Sequence, residues 1–197
     1  MMCYLRFTFD ETKSQMKKII HSTAFSLFLL SVCAFTKGDK WYQFISTPFG
    51  FKVEFPAKPT EKTKPMSTLA GDLTLNMFEY TAPKEKQDPN LVYMASYIEY
   101  PADIDGNNKD KQKELCHKVI DDAAARLKGK ILKESLITID GHEGIEARIE
   151  YKEGTEVLKM RMYLVHNKMY TLETMTKIAK DNNKSIQRFM NSFHLVK

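Results

Sequence analysis

The chain has 197 residues, 28% of them charged, and a formal net charge of +5 from 30 Lys and Arg against 25 Asp and Glu. Setting aside residues 1–34, which hold Arg6, Lys13, Lys17 and Lys18 against Asp10 and Glu11, leaves 26 basic and 23 acidic residues, a net of +3. Charge so small and so evenly mixed excludes nucleic acid and the membrane surface as partners, and the remaining length suits one domain rather than two.

The stretch "MKKIIHSTAFSLFLLSVCAFTKG" begins at Met16 and puts Lys17 and Lys18 ahead of an apolar run and then small residues. That is the layout of a secretory signal peptide, and the run is too short and too rich in hydroxyls for a membrane span. Residues 1–15 are read as an over-extended N-terminus, 16–34 as the signal peptide and 35–197 as one domain. Val32 and Ala34 are small residues suited to cleavage after Ala34. The alternative is a lipobox at Leu30-Ser31-Val32-Cys33, which would leave Cys33 lipidated and is the one route to a membrane. Cys3 and Cys33 fall in or before this leader, so Cys116 has no disulfide partner in the mature chain.

Phe51, Val53 and Phe55 alternate with Lys52 and Glu54, a half-buried strand ended by Pro56 and Pro59. A short strand is expected near 64–70, another through Leu73, Leu75 and Met77 after Gly71-Asp72, and a Tyr-rich one over 91–100. From 110 to 127 the period changes: Leu115, Val119, Ala123 and Leu127 fall four apart, an amphipathic helix stopped by Gly129. Strands follow over 131–139, 145–151, 157–165 and 169–175. Ile186, Phe189, Met190 and Phe193 mark a closing helix, with Asp181 or Asn182 as its cap. Strands, helix, strands, helix is an α+β order with a mostly antiparallel sheet.

The last strands carry register information. A Glu153-Gly154 loop pairs Ile149 with Leu158, Ala147 with Met160 and Ile145 with Met162, apolar against apolar. A three-residue loop, His166-Asn167-Lys168, then pairs Leu164 with Tyr170 and Met162 with Leu172. On the other face this register sets Arg161 between Glu146 and Glu173, with Arg148 opposite Lys159 and Tyr163 alongside. Those six residues form a candidate interaction face, since Arg and Tyr anchor interfaces.

"PFGFKVEFPAKP", "GHEGIEARIEY", "RMYLVHNKMYTLE" and "RFMNSFHL", in that order, resemble exported bacterial proteins of the PsbP-like type, which share a fold with DcrB-type lipoproteins and the extrinsic PsbP subunit of photosystem II. The resemblance implies a PsbP-like α/β sandwich, an antiparallel sheet with helices packed on it. It also implies a role in binding or assembly, and it brings no site residue and no cofactor.

Several local patterns bear on chemistry. In "DIDGNNKDKQKE", Asp103, Asp105, Asn107 and Glu114 stand at positions 1, 3, 5 and 12 of a calcium loop. Asn108 replaces the glycine of position 6 and lysines intervene, which favours an Asx-rich turn capping the helix. Cys116 and His117 are neighbours on a helix and point about 100° apart. Met160 and Met162 could ligate Cu(I), but the register makes them core. His142, His166 and His194 lack zinc-ligand spacing. Asn183-Lys184-Ser185 matches a glycosylation acceptor and is more simply a helix cap. No Ser or Cys nucleophile has a recognisable base. The expectation is therefore a monomeric, non-enzymatic, periplasmic or secreted module, without cofactor, that binds a protein or envelope component. A hydrolase with a diffuse site and a calcium- or copper-handling protein are the alternatives.

Overall fold

Apolar residues two apart dictate strands, and the chain folds almost every such run into one of two antiparallel sheets. The computed structural model describes residues 40–68, 71–86, 88–104 and 108–196. The leader with Cys3 and Cys33 lies outside these, as do Asp105 and Asn107 of the acidic loop.

Strands β1 (Tyr42–Ser46), β2 (Phe51–Phe55) and β10 (His194–Leu195) form a small sheet in the order β1-β2-β10. Seven strands form the large one: β3 (Thr60–Thr68), β4 (Gly71–Thr81), β5 (Asn90–Glu99), β6 (Lys130–Ile139), β7 (His142–Tyr151), β8 (Glu156–Val165) and β9 (Lys168–Lys177). Their order is β3-β4-β5-β9-β8-β7-β6, so the β5–β9 pairing joins two meanders across the intervening helix. Helices α1 (Lys109–Leu127) and α2 (Lys184–Asn191) complete the expected α+β architecture.

Both faces of the large sheet are covered. On one, Cys116, Ile120, Ala123 and Ala124 of α1 pack on Ile145, Ala147, Ile149, Leu158, Met160, Met162 and Leu164. On the other, Ile186, Phe189 and Met190 of α2, with Phe51, Val53 and Phe55 of β2, pack on Phe78, Tyr93, Tyr163, Tyr170 and Leu172. The second layer is largely aromatic; Tyr163 and Phe193 stack with planes 5° apart.

The β7–β8 register is the expected one: Ile149 faces Leu158, Ala147 faces Met160 and Ile145 faces Met162. Glu153 (φ 57°) and Gly154 (φ 82°) supply the left-handed turn between them. The β8–β9 register is one residue away from expectation. The loop is His166-Asn167, pairing Val165 with Lys168, Leu164 with Met169 and Arg161 with Leu172. His166 itself adopts a left-handed conformation (φ 55°), which allows the tighter turn without a glycine.

Helix ends also depart from expectation. Lys128 (φ 50°), rather than Gly129, is the left-handed residue that closes α1. Gly129 is needed for space, because a Cβ there would lie 2.6 Å from the Glu150 carbonyl oxygen. Asn183 caps α2, as the reading of Asn183-Lys184-Ser185 as a helix cap expects and in place of Asp181 or Asn182: its Oδ1 accepts from the Ile186 N–H at 3.0 Å. Its amide also exchanges hydrogen bonds with the buried Asn90.

Candidate functional site

The residues of the predicted interaction face do not share a free surface. Glu146 and Arg161 do pair, at 2.6 Å. Arg161, however, spends its remaining donors on the Met190 carbonyl and on Asn191 at the end of α2. Arg148 binds Asp181 just ahead of that helix, and Tyr163 is buried beneath Phe193. Arg148, Arg161 and Tyr163 therefore fasten the C-terminal segment to the sheet, and Glu146 holds Arg161 in place. Glu173 is on the opposite face, between Met160 and Met94 on the flanking strands. It is buried, its Oε2 has no hydrogen-bond partner among the described residues, and burial raises its pKa although Arg126 pulls the other way.

Of the calcium pattern, Asp103 and Glu114 are exposed. Asn108 caps α1, its Oδ1 accepting from the Lys111 N–H at 3.1 Å. Cys116 is fully buried and burial pushes its thiol up to about 12, while His117 points outward. Met160 and Met162 are core. The His142 and His166 rings lie 6.3 Å apart and His194 stands 3.8 Å from Asp140, yet no metal-holding group of three or more His, Cys, Asp or Glu occurs among the described residues.

A concavity lies elsewhere, where α1 runs beside the edge strand β6. It is an open groove of about 260 Å³ lined by Lys113, His117, Glu134, Ser135, Leu136 and Ile145. It continues into a cleft reached by Gln112, Glu143 and Gly144. Lys109, Lys113 and His117 recur every four residues, so one flank of the helix presents all three to the strand. Lys109 binds Glu143 at 2.5 Å and holds that carboxyl below its usual range. His117 Nδ1 meets Glu134 Oε2 at 2.8 Å. Gln112 is buried and donates to the Glu143 carbonyl at 2.7 Å, fixing the helix to β7. Between these pairs, Lys113 feels Glu143 at a distance but holds no hydrogen bond or contact ion pair among the described residues.

Ser135, His117 and Glu134 together suggest a nucleophile, base and acid. Strand geometry rules this out. Glu134 opposes Ala147 and shares its face with α1, so Ser135, one residue on, points to the other side. Leu136 returns to the helix face and remains 66% exposed. The groove is thus a charged helix flank, an exposed leucine and a strand edge, without a nucleophile beside its histidine. Sequence reasoning missed it. The available signals were the fourfold spacing of Lys109, Lys113 and His117, and a leucine out of phase with Ile137 and Ile139.

No family model and no curated protein matches the chain by sequence. Its structure does have counterparts. The solution structure of cyanobacterial PsbP from Synechocystis is similar over 83% of this chain and 96% of its own, with a TM-score of 0.55 at 12% identity. The chain has a PsbP-like fold. A Pseudomonas aeruginosa protein of unknown function, described as a putative regulator, aligns over 71% of this chain and 85% of its own, with a TM-score of 0.39 at 16% identity. The PsbP-like assignment concerns architecture and transfers no residue role.

Proposed function

We propose that the protein is an exported, non-catalytic binding module of the cell envelope that meets a protein partner along the α1–β6 groove. The observation that carries this is the groove itself. It is open and at the sheet edge, its histidine is engaged by Glu134 and its Glu143 by Lys109, and a solitary leucine is left uncovered. Enzymes hold substrates in enclosed, convergent pockets; interfaces centre on an apolar anchor within a polar rim. The PsbP-like resemblance points to binding or assembly as well. No helix among the described residues is long and apolar enough to cross a membrane, and residues 16–34 are read as the export signal.

A photo-crosslinking residue at position 136 of the full chain, expressed in a bacterial envelope, tests this. It should trap a defined protein, whereas the same probe at position 62 on the far edge should not. Equal labelling from both positions, retention of the chain in the cytoplasm, or turnover of an ester or peptide substrate would overturn it. Mass spectrometry of the mature N-terminus should find cleavage after Ala34 rather than a lipid on Cys33.

A further inference from the structure

Which backbone groups face outward along β6 follows from its hairpin. Ile139 pairs with His142 across the two-residue loop Asp140-Gly141, with φ of 46° and 85°. Such a loop closes on a hydrogen-bonded pair, and hydrogen-bonded and non-hydrogen-bonded pairs then alternate. Ile139, Ile137, Ser135 and Lys133 therefore direct N–H and C=O to β7. Thr138, Leu136 and Glu134 direct theirs away, at the edge of the sheet. These three residues also carry the side chains that point toward α1. The register is regular from Lys133 to Ile139, the bulge lying beyond, between Ile131 and Lys133.

The two edges of the large sheet are unlike. β3, "TEKTKPMST", carries Lys62, Lys64 and Pro65, devices that discourage pairing with another strand. The regular part of β6 has no proline, and its central residue is the exposed Leu136. Beside it stands Lys113, the one cation of its helix flank without a contact partner among the described residues.

We propose that the groove binds an extended peptide segment of the partner by adding it to β6 as an eighth strand, an apolar side chain resting on Leu136 and Ile145 and a carboxylate reaching Lys113. This rests on the reading of the α1–β6 groove as a binding surface and names what that surface takes. Strand addition suits the parts. The outward N–H and C=O groups of Glu134, Leu136 and Thr138 supply affinity independent of sequence, and alternate side chains entering the groove supply selectivity. Lys109 already pairs with Glu143 and His117 with Glu134, so a carboxylate is drawn to Lys113 between them.

The test uses the full chain and short random peptides displayed on phage. Enriched peptides should alternate apolar and polar residues and carry an acidic residue. On adding one, the amides of Glu134, Leu136 and Thr138 should slow in hydrogen exchange, while those of Ser135 and Ile137 are slow throughout. Thr138→Pro removes an outward N–H, a position where an edge strand tolerates proline. It should weaken binding at least about tenfold with melting unchanged, a loss of the size expected for one hydrogen bond with its neighbours disturbed. Lys113→Glu should reverse the preference from acidic to basic peptides. Peptides that leave the three outward amides fast, or no enriched peptide at all, overturn strand addition. If the bound peptides are then still lost on Leu136→Lys, the groove remains a binding surface of another kind. Insensitivity to Leu136→Lys, together with an empty crosslink at position 136, removes the binding surface as well. Should Thr138→Pro fail to fold, exchange on the unmodified chain decides.

Discussion

Replacing Glu173 with methionine should stabilise this protein. The side chain lies between Met160 and Met94 with Arg126 the nearby charge, and its Oε2 is buried without a hydrogen-bond partner among the described residues. A buried polar atom left unpaired costs about 1–3 kcal/mol. Methionine is close in volume and adaptable, so repacking should return less than about 1.5 kcal/mol of that. The net expectation is a gain of about 1–2 kcal/mol near pH 8, or about 2–8 °C in Tm at ~2–4 °C per kcal/mol for a domain of this size. The pH dependence gives a sharper criterion. Burial raises the Glu173 pKa above the ordinary 4.5, so on raising the pH the unfolded chain loses this proton first. The stability tied to this group is fully present below about pH 4.5. It falls as pH rises toward the folded-state pKa and levels beyond it. Urea denaturation of wild type and Glu173→Met at intervals from pH 4 to 8 should show a difference that widens with pH. A variant less stable than wild type at pH 8, or a difference that narrows as pH rises, would refute the assignment of Glu173 as an unpaired buried acid.

Other positions make equally direct predictions. Gly144→Ala should destabilise by about 3 kcal/mol in chemical denaturation, because its Cβ would lie 2.3 Å from the Met162 carbonyl oxygen and 2.5 Å from the Tyr163 ring; a neutral result would mean β7 and β8 can part. Asn183→Ala should cost about 1–2 kcal/mol from lost capping, with a further loss from its exchange with Asn90, measurable as a double-mutant cycle with Asn90→Ala. Cys116 should resist thiol reagents in the folded protein and react only with unfolding, since the thiol is buried and its pKa raised to about 12. Millimolar calcium should leave Tm unchanged in wild type and in Asp103→Ala; a rise in wild type alone would restore the acidic loop as a binding site.

Much of the architecture is legible because local chemistry and tertiary position agree. Alternation in Phe51, Val53 and Phe55, the fourfold spacing through α1, and a glycine where the β7–β8 turn needs positive φ each encode one element. The β8–β9 register is harder to read, since the deciding residue is a left-handed histidine and polar loops do not announce their length. That single step carries Glu173 to the other face. The predicted interaction face fails for a second reason: polar residues on alternate strand positions suggest solvent, yet here Arg148 and Arg161 receive a helix distant in sequence. The groove was hidden for the same cause. It requires knowing that β6, among four antiparallel runs, ends the sheet, and the order is set by the β5–β9 pairing, whose strands are separated by α1 and three strands.

The contrast between β3 and β6 has a bearing on copy number. A sheet open at both edges can nucleate a filament, each molecule templating the next. Here Lys62, Lys64 and Pro65 close one end, so whatever strand joins β6 finds no continuation across the molecule. Under the strand addition proposed above, large-sheet growth would stop at one addition and the protein would act as a terminator, capping an exposed segment of another polypeptide, one for one, without relaying the order onward.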